Sequence, residues 1–580
     1  NLIPSLAEDW TVSKDGLTYT YKLRKGAKWY TSDGEEYAEV KAQDFVTGLK
    51  HAADGKSEAL YLVQNSIKGL DAYIKGETKD FSTVGVKALD DYTVQYTLNK
   101  PESYWNSKTT SGILFPINAD FLASQGSGFG SAKPSSILYN GPYILKSLTA
   151  KSSIEYKKNE KYWDKENVPI EDVKLSYYDG SDQESLVRNF SDGAYTLARV
   201  FPNSSNYASV KKKYADNITY SQQGGTSFFY VFNVNRQSYN HTSKKDDKQK
   251  SDTKAAILNK DFRQAIGFAF DRKAYAAQTN GEDGASMILR NLAVPPTFVQ
   301  IKDRNFGDVV KEKLASYGQE WSDVKLEDAQ DGLYNAEKAK AEFAKAKETL
   351  QAQGVNFPIH LDLPVSQSDK AGIQQASSFK QSVESALGKD NVVVDLQQMS
   401  EDDFNNTGYF ANSAAQKDYD LSTSGWTPDY QDPSTYLDVF DPTNGGLLQA
   451  IGIEPGQNQD VVSALGLNDY KALNDDANKE TSDTSVRYEK YANSQAWLTD
   501  SGLTLPSISN GANPLVQKSV PFTRAYSWIG SKGTATNYKY MQLQDDVLTS
   551  KDYEKAFKTW MKEKESSNEK AQKELEKHVK

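Results

Sequence analysis

The sequence predicts a mixed α/β chain whose domains are discontinuous along it. Runs with a period of two, which read as half-buried strands, are interleaved with amphipathic helical runs and keep no single βαβ rhythm. No self-similarity recurs at a spacing of roughly 20–50 residues, so a solenoid or propeller is not expected. The chain is 580 residues long, enough for two or three hydrophobic cores.

The first strand is expected over 16–31, where Leu17, Tyr19, Tyr21 and Leu23 face one way and Thr18, Thr20, Lys22 and Arg24 the other. Gly26 and the Asp33-Gly34 turn end it. A helix follows over 41–52 and a strand over 92–98, after the Asp90-Asp91 turn. Segment 124–136 (SQGSGFGSAKPSS) reads as a loop, and Asn140-Gly141-Pro142 opens a strand over 143–148. Further strands are expected over 152–158 and 171–178, with a short helix over 181–193. The apolar, β-rich run 227–234 (SFFYVFNV) has the makings of a central strand. The polar tract 240–254 (NHTSKKDDKQKSDTK) reads as a solvated loop or insertion. One helix is expected over 258–275, with Phe262, Ile266 and Phe270 on one face, and another over 334–353, closed by Gly354. Strand 358–364, helix 371–387 and strand 391–396 form an α/β pattern. Helices over 485–499 and most of 550–580 complete the reading.

Composition removes several function classes. Lys plus Arg number 68 against 78 Asp plus Glu, a formal charge of −10, and a field of that sign repels nucleic-acid phosphates and anionic membranes. Cysteine is absent, which excludes disulfides, thiolate nucleophiles and thiolate metal sites, and points weakly to an exported protein. The four histidines (His51, His241, His360, His578) stand apart in sequence, and no cofactor is expected. The longest apolar runs, such as 112–117, are far short of the roughly 20 residues that span a bilayer. The chain opens at Asn1 in sequence of folded type, so any targeting segment is expected to lie outside it. Tyr, Phe and Trp make up 12% of the residues, a supply of rigid contact area with a polar handle that suits either a large aromatic core or a recognition surface.

Enzyme signatures fail one by one. Gly55-Lys56-Ser57 has Lys50 where a phosphate loop needs its first glycine, and Gly126-Ser127-Gly128-Phe129-Gly130 runs on to Pro134 instead of a helix. No GxSxG occurs. Acidic clusters such as Glu401-Asp402-Asp403 lack calcium-loop spacing, and no carboxylate pair is singled out for glycosidase chemistry. No catalytic residue is assigned.

The most informative stretch is Gly425-Trp426-Thr427-Pro428-Asp429-Tyr430-Gln431-Asp432-Pro433, which follows a strand expected over 418–424. A strand ending in Gly-Trp and turning through Thr-Pro-Asp sets an indole and a carboxylate beside open backbone. An extended peptide could add to that backbone, with the carboxylate taking its α-ammonium. The residue types alone favour the plainer reading, in which Asp429 caps a turn or helix start and Trp426 belongs to the core.

Nine segments in register change that balance. They are Leu6-Ala7-Glu8-Asp9-Trp10 with Asp15-Gly16-Leu17-Thr18-Tyr19; Leu23-Arg24-Lys25-Gly26-Ala27-Lys28-Trp29; Ala42-Gln43-Asp44-Phe45; Asn140-Gly141-Pro142-Tyr143; Asn159-Glu160-Lys161-Tyr162-Trp163-Asp164; Phe229-Tyr230-Val231-Phe232-Asn233; Phe262-Arg263-Gln264-Ala265-Ile266 through Asp271-Arg272; Val294-Pro295-Pro296; and Trp426-Thr427-Pro428-Asp429-Tyr430. Over essentially its whole length the chain resembles the extracellular oligopeptide-binding proteins of ABC importers, in the peptide/nickel class, with Gram-positive peptide-binding lipoproteins of the Ami/Ali type most alike.

The resemblance implies a two-lobed periplasmic-binding-protein-like fold with an extra domain and a hinge. Residues 1–155 would form the extra domain plus part of lobe I, 156–258 lobe I, 259–504 lobe II, and 505–580 a return to lobe I with C-terminal helices. It implies a non-catalytic receptor, acting as a monomer, that takes an oligopeptide between its lobes and delivers it to a membrane ABC permease. The expected location is the cell surface, through a lipid anchor on an N-terminal segment outside this chain. Same-fold binding of an oligosaccharide or metal chelate is the alternative, with a glycosidase ranked below it. By motif, Asp429 is similar to the carboxylate that pairs with the ligand's ammonium and Trp426 to a pocket aromatic, flanked by Tyr430 and Ser424. Gly425 and Thr427 would bind the ligand main chain, while Asn233 and the loop with Pro296 and Thr297 would form the opposite wall. Strand 505–510 adds Ser507, where relatives carry Tyr. Thr423 stands where some relatives have an Arg for short-peptide carboxylates, so no carboxylate clamp is assigned.

Overall fold

The computed structural model describes residues 2–524 and 537–580, and these divide into two compact units, 1–178 with 518–580, and 179–517. These two units do not coincide with the four segments assigned to lobes above. Residues 525–536 of the last of those segments lie outside the described residues.

In the first unit, strands β1 (Ala7–Val12) and β2 (Thr18–Leu23) pair antiparallel, and β2 then pairs with β4 (Thr93–Thr97), which pairs with β3 (Val86–Asp90). The period-two reading is met: Tyr19, Tyr21 and Leu23 are all buried. The strand expected over 16–31 is two strands, because the backbone swings to φ +86° at Gly26 before pairing resumes at Lys28–Tyr30. A second antiparallel sheet is built from β5 (Tyr143–Thr149), β6 (Ser153–Lys158) and β7 (Asp172–Ser176). The helix Ser550–Glu574 buries no residue fully, and half-buried Tyr553, Phe557 and Trp560 gather around Phe522 at ring distances of 5.4, 6.0 and 5.1 Å. No helix among the described residues is long and apolar enough to cross a membrane.

In the second unit, strand β8 (Gln223–Phe232) is the central strand its composition predicts. Helices α1 (Asp247–Leu258), α2 (Lys260–Ala269) and α3 (Arg272–Gly284) follow, then α4 (Ala336–Ala352), β9 (Ile359–Ser366), α5 (Lys370–Leu387) and β10 (Val392–Met399). Strands β9 and β10 are parallel, joined by the helical crossover that the α/β pattern called for. After α6 (Glu401–Thr407) come β11 (Leu421–Trp426), the one-turn helix α7 (Ser434–Leu437), α8 (Thr484–Ser501) and β12 (Thr504–Gly511). The sheet order is β11-β8-β12, antiparallel throughout, which leaves β11 at an edge.

Two expectations are corrected here. The helix expected over 258–275 breaks at Phe270, whose backbone is extended, and Asp271 starts a new helix by accepting the Ala274 amide at 2.9 Å. The tract 240–254 is only in part the solvated loop expected: Asn240, Ser243 and 245–248 are exposed, but Lys244 is buried. Arg236 donates to Asp362 at 2.7 Å and to Asp418 at 2.9 Å, while Lys244 reaches Asp362 at 2.9 Å and also Asp420. All five side chains are buried, and from Asp247 onward the tract is helix α1. Burial pushes the Asp362 carboxyl up, but Lys244, Thr242, the Ser243 amide and Arg236 together bring it down to about 2. The composition of the tract hid this because the charges that bury it sit on other segments.

Candidate functional site

Strand β11 carries the residues singled out by sequence, and its register on β8 places Ser424 opposite Phe229, Gly425 opposite Phe228 and Trp426 opposite Ser227. Among the described residues, only one edge of β11 is paired in a sheet. Thr423 is exposed, while Ser424, Gly425, Trp426 and Thr427 are half-buried, so solvent reaches this end of the strand. Gly425 is required by its neighbours: a Cβ there would lie 2.8 Å from Phe228 Cδ1 and 2.9 Å from the Ser227 carbonyl. Phe228 itself is 39% exposed, an open aromatic face beside Gly425.

Beyond the strand, the Thr427 and Thr226 hydroxyls share a hydrogen bond of 2.8 Å, tying the turn to β8. Asp429 follows, 3% exposed, with its backbone amide donating to Thr435 Oγ1 at 2.9 Å. Tyr430 Oη lies 3.1 Å from Ser434 Oγ. Asp432 is wholly buried and is gripped by Arg487 through Nε and Nη2, each at 2.8 Å. At the start of α7 it is Asp432 whose Oδ2 accepts from Ser434, from the backbone amide at 3.3 Å and from the hydroxyl at 2.6 Å.

The other wall residues are placed differently. Asn233 is 2% exposed and its amide is spent inside the fold, donating to the Lys417 carbonyl at 3.1 Å and accepting the Asn235 amide at 3.1 Å. Ser507 is equally buried on β12 and donates to the Phe228 carbonyl at 3.1 Å, so it ties β12 to β8. Pro296 is buried and Thr297 exposed, and the turn they form joins the site through Phe298, whose ring meets Tyr436 edge-on at 5.2 Å. The structure thus brings Ser424 to Asp429, Tyr430 and the Pro296 turn to one neighbourhood, while Asn233, just past the end of β8, and Ser507, on β12, spend their side chains on internal hydrogen bonds.

Three residues that the sequence reading passed over hold this neighbourhood together. Arg290 is wholly buried and donates Nη1 to the Gly224 and Thr226 carbonyls at 2.9 and 3.2 Å. Tyr436 Oη donates to the carbonyl between them, Gly225. Asp328 accepts from Arg290 Nε at 3.2 Å and Nη2 at 3.0 Å. The signal was an arginine standing inside an apolar run, Met287-Ile288-Leu289-Arg290-Asn291-Leu292-Ala293-Val294.

A family model described as bacterial extracellular solute-binding proteins, family 5 Middle, matches residues 1–446. The chain belongs to this family. Among curated relatives, this solute-binding protein is 63% identical over 580 residues to the oligopeptide-binding protein AliB of Streptococcus pneumoniae serotype 4, covering all of this chain and 89% of that one. It is 60% identical over 583 residues to the oligopeptide-binding protein SarA of Streptococcus gordonii, covering 100% of this chain and 88% of the relative. Among solved structures, Listeria monocytogenes OppA bound to peptide matches with a TM-score of 0.65 at 23% identity, covering 94% of this chain and 91% of that chain. The substrate-binding domain of an oligopeptide ABC transporter from Bacillus anthracis matches with a TM-score of 0.67 at 22% identity, covering 94% and 90%. The two-lobed α/β solute-binding fold of the sequence reading is thereby established, and the family is one of binding proteins, not enzymes.

Proposed function

We propose that this solute-binding protein is an oligopeptide receptor that captures peptides outside the cell and hands them to an ABC permease. The observation that carries the reading is β11, an edge strand whose half-buried Gly425-Trp426-Thr427 end leads into a buried carboxylate at Asp429. An edge strand offers main-chain hydrogen bonds to any peptide whatever its sequence, and a largely desolvated carboxylate rewards the one charge every unmodified peptide carries, its α-ammonium. The names of AliB and SarA as oligopeptide-binding proteins support the same ligand class. In this reading Ser424, Gly425 and Thr427 meet the ligand backbone, Trp426 and Tyr430 flank it, and Thr297 borders the site beside Pro296. Asn233 and Ser507 stay in the proposal as residues that set the position of β8.

Capture between lobe I (156–258 with 505–580 and part of 1–155) and lobe II (259–504), with the extra domain also drawn from 1–155, belongs to the proposal. So do action as a monomer and a lipid anchor at the cell surface, which rest on the family resemblance. Native mass spectrometry of the purified chain after incubation with a peptide digest tests the ligand class. Bound masses matching peptides of many sequences are expected; bound sugars or metal chelates with no peptide would overturn the reading.

A further inference from the structure

Side chains along β8 alternate between two faces, so Phe228, Tyr230 and Phe232 share one and Phe229 and Val231 the other. All of these are buried except Phe228. Tyr230 is covered by Phe270, Tyr275 and Phe379 at ring distances of 5.6, 6.1 and 4.5 Å, and Phe229 meets Phe440 at 6.2 Å. Phe228 meets no other ring among the described residues and is 39% exposed. The aromatic cover on its face of β8 stops at Tyr230.

Two features hold the Phe228 ring at the edge of the sheet. Gly425 stands opposite it on β11, and a Cβ there would lie 2.8 Å from Phe228 Cδ1 and 3.3 Å from Cε1. The ring therefore fills the space that a β11 side chain would take. On the other side of β8 the register slips across Phe228: Ser227 pairs with Ser509 and Phe229 with Pro506, three steps of β12 against two of β8. Such an irregularity increases the local twist and re-aims a side chain. Ser507, inside it, donates its hydroxyl to the Phe228 carbonyl at 3.1 Å and so fixes it. The β11 neighbours on the ring's face are short and uncharged: Thr423, opposite Tyr230, and Thr427, whose hydroxyl meets that of Thr226.

A peptide that adds to the edge of β11 sets every second side chain on this face, next to the open ring. An uncharged aromatic platform rewards a flat aromatic guest by ring contact in addition to the area buried. We infer that Phe228 is a specificity-determining residue of the peptide site: its ring, laid across Gly425, receives an aromatic side chain of the ligand. The inference rests on the function proposed above, to which it adds a side-chain preference.

The test uses the full chain and a library of random hexapeptides, with captured peptides sequenced by mass spectrometry and each position scored against the input library. The wild-type chain is expected to enrich Phe, Tyr and Trp about fivefold at one ligand position. Phe228→Tyr should keep that preference. Phe228→Leu, which retains apolar bulk, and Phe228→Ala should lose it while still capturing peptides. Wild-type enrichment of Arg and Lys in place of aromatics, or of no residue at any position, would overturn the inference and leave the receptor reading intact. So would an aromatic preference that survives in Phe228→Leu and Phe228→Ala, or one that disappears in Phe228→Tyr. A wild-type chain that captures no peptide removes the receptor reading first, and this inference with it.

Discussion

Arg487 grips Asp432 through two hydrogen bonds of 2.8 Å, three residues beyond Asp429, and both partners are buried. The pair anchors the far side of the turn that presents Asp429: the Asp432 carbonyl accepts the Thr435 amide at 3.1 Å, and Thr435 in turn accepts the amide of Asp429. Removing one member of such a pair leaves the other charge buried without its counter-ion. Arg487→Met is therefore expected to cost about 3–5 kcal/mol. Differential scanning calorimetry should show the loss as a lowered unfolding transition.

The glycine of β11 makes a second, more local prediction. Gly425→Ala places a methyl group 2.8 Å from Phe228 Cδ1 and 2.9 Å from the Ser227 carbonyl, so the ring or the strand must shift. The folded chain should lose about 1–3 kcal/mol, since overpacking at a tight contact costs that much, and peptide affinity should fall as the strand edge shifts. Phe228→Ala with Gly425 kept should also weaken binding, because it removes the exposed aromatic surface beside the strand edge. Isothermal titration with one peptide reads both.

Much of this fold was legible because local signals and tertiary contacts agree. The β8 run, the β9-α5-β10 crossover and the buried face of β2 are each written in a period that needs no distant partner to be read. The Trp426-to-Asp429 turn was legible as a unit because strand, glycine and carboxylate are adjacent in sequence. What escaped was set by partners far along the chain. Lys244 looks like any lysine of a polar tract until Asp362 and Asp420 arrive from 118 and 176 residues away. Asn233 ends its strand as expected, but the Lys417 carbonyl claims its amide, and the only hint of Arg290 was a charge in an apolar run.

The buried cluster around Lys244 carries an acid-side prediction. Because the Asp362 carboxyl is held down near 2 in the folded chain, below its ordinary value, it contributes stability that is full above pH 4. That contribution drains away as pH falls from about 4 through about 2. Lys244→Met should cost about 3–5 kcal/mol near neutrality by leaving Arg236 to offset buried Asp362, Asp418 and Asp420. The variant should also lose part of the stability difference between pH 6 and pH 3 that the wild-type chain shows in denaturant unfolding.

Asp438 has the opposite sign. Burial, and then the charges of Asp432 and Asp441, push its carboxyl up to about 7 against the pull of Arg487. A raised carboxyl favours the folded chain at low pH and disfavours it as pH rises through that value. Asp438→Asn is expected to be nearly neutral at pH 4 and stabilising by about 1–2 kcal/mol at pH 8. Thermal midpoints of the two chains at the two pH values check the sign.

The central claim is that the Asp429 carboxylate meets a positive amino terminus, and a calorimetric double cycle tests it most directly. One peptide is titrated with its amine free and N-acetylated, into the wild-type chain and into Asp429→Asn. A charge-assisted contact of this kind should make the wild-type chain prefer the free amine by about 1.5–3 kcal/mol, and Asp429→Asn should erase that preference while unfolding at a similar temperature. Equal wild-type affinity for the two peptides, or a preference that survives in Asp429→Asn, would contradict the claim.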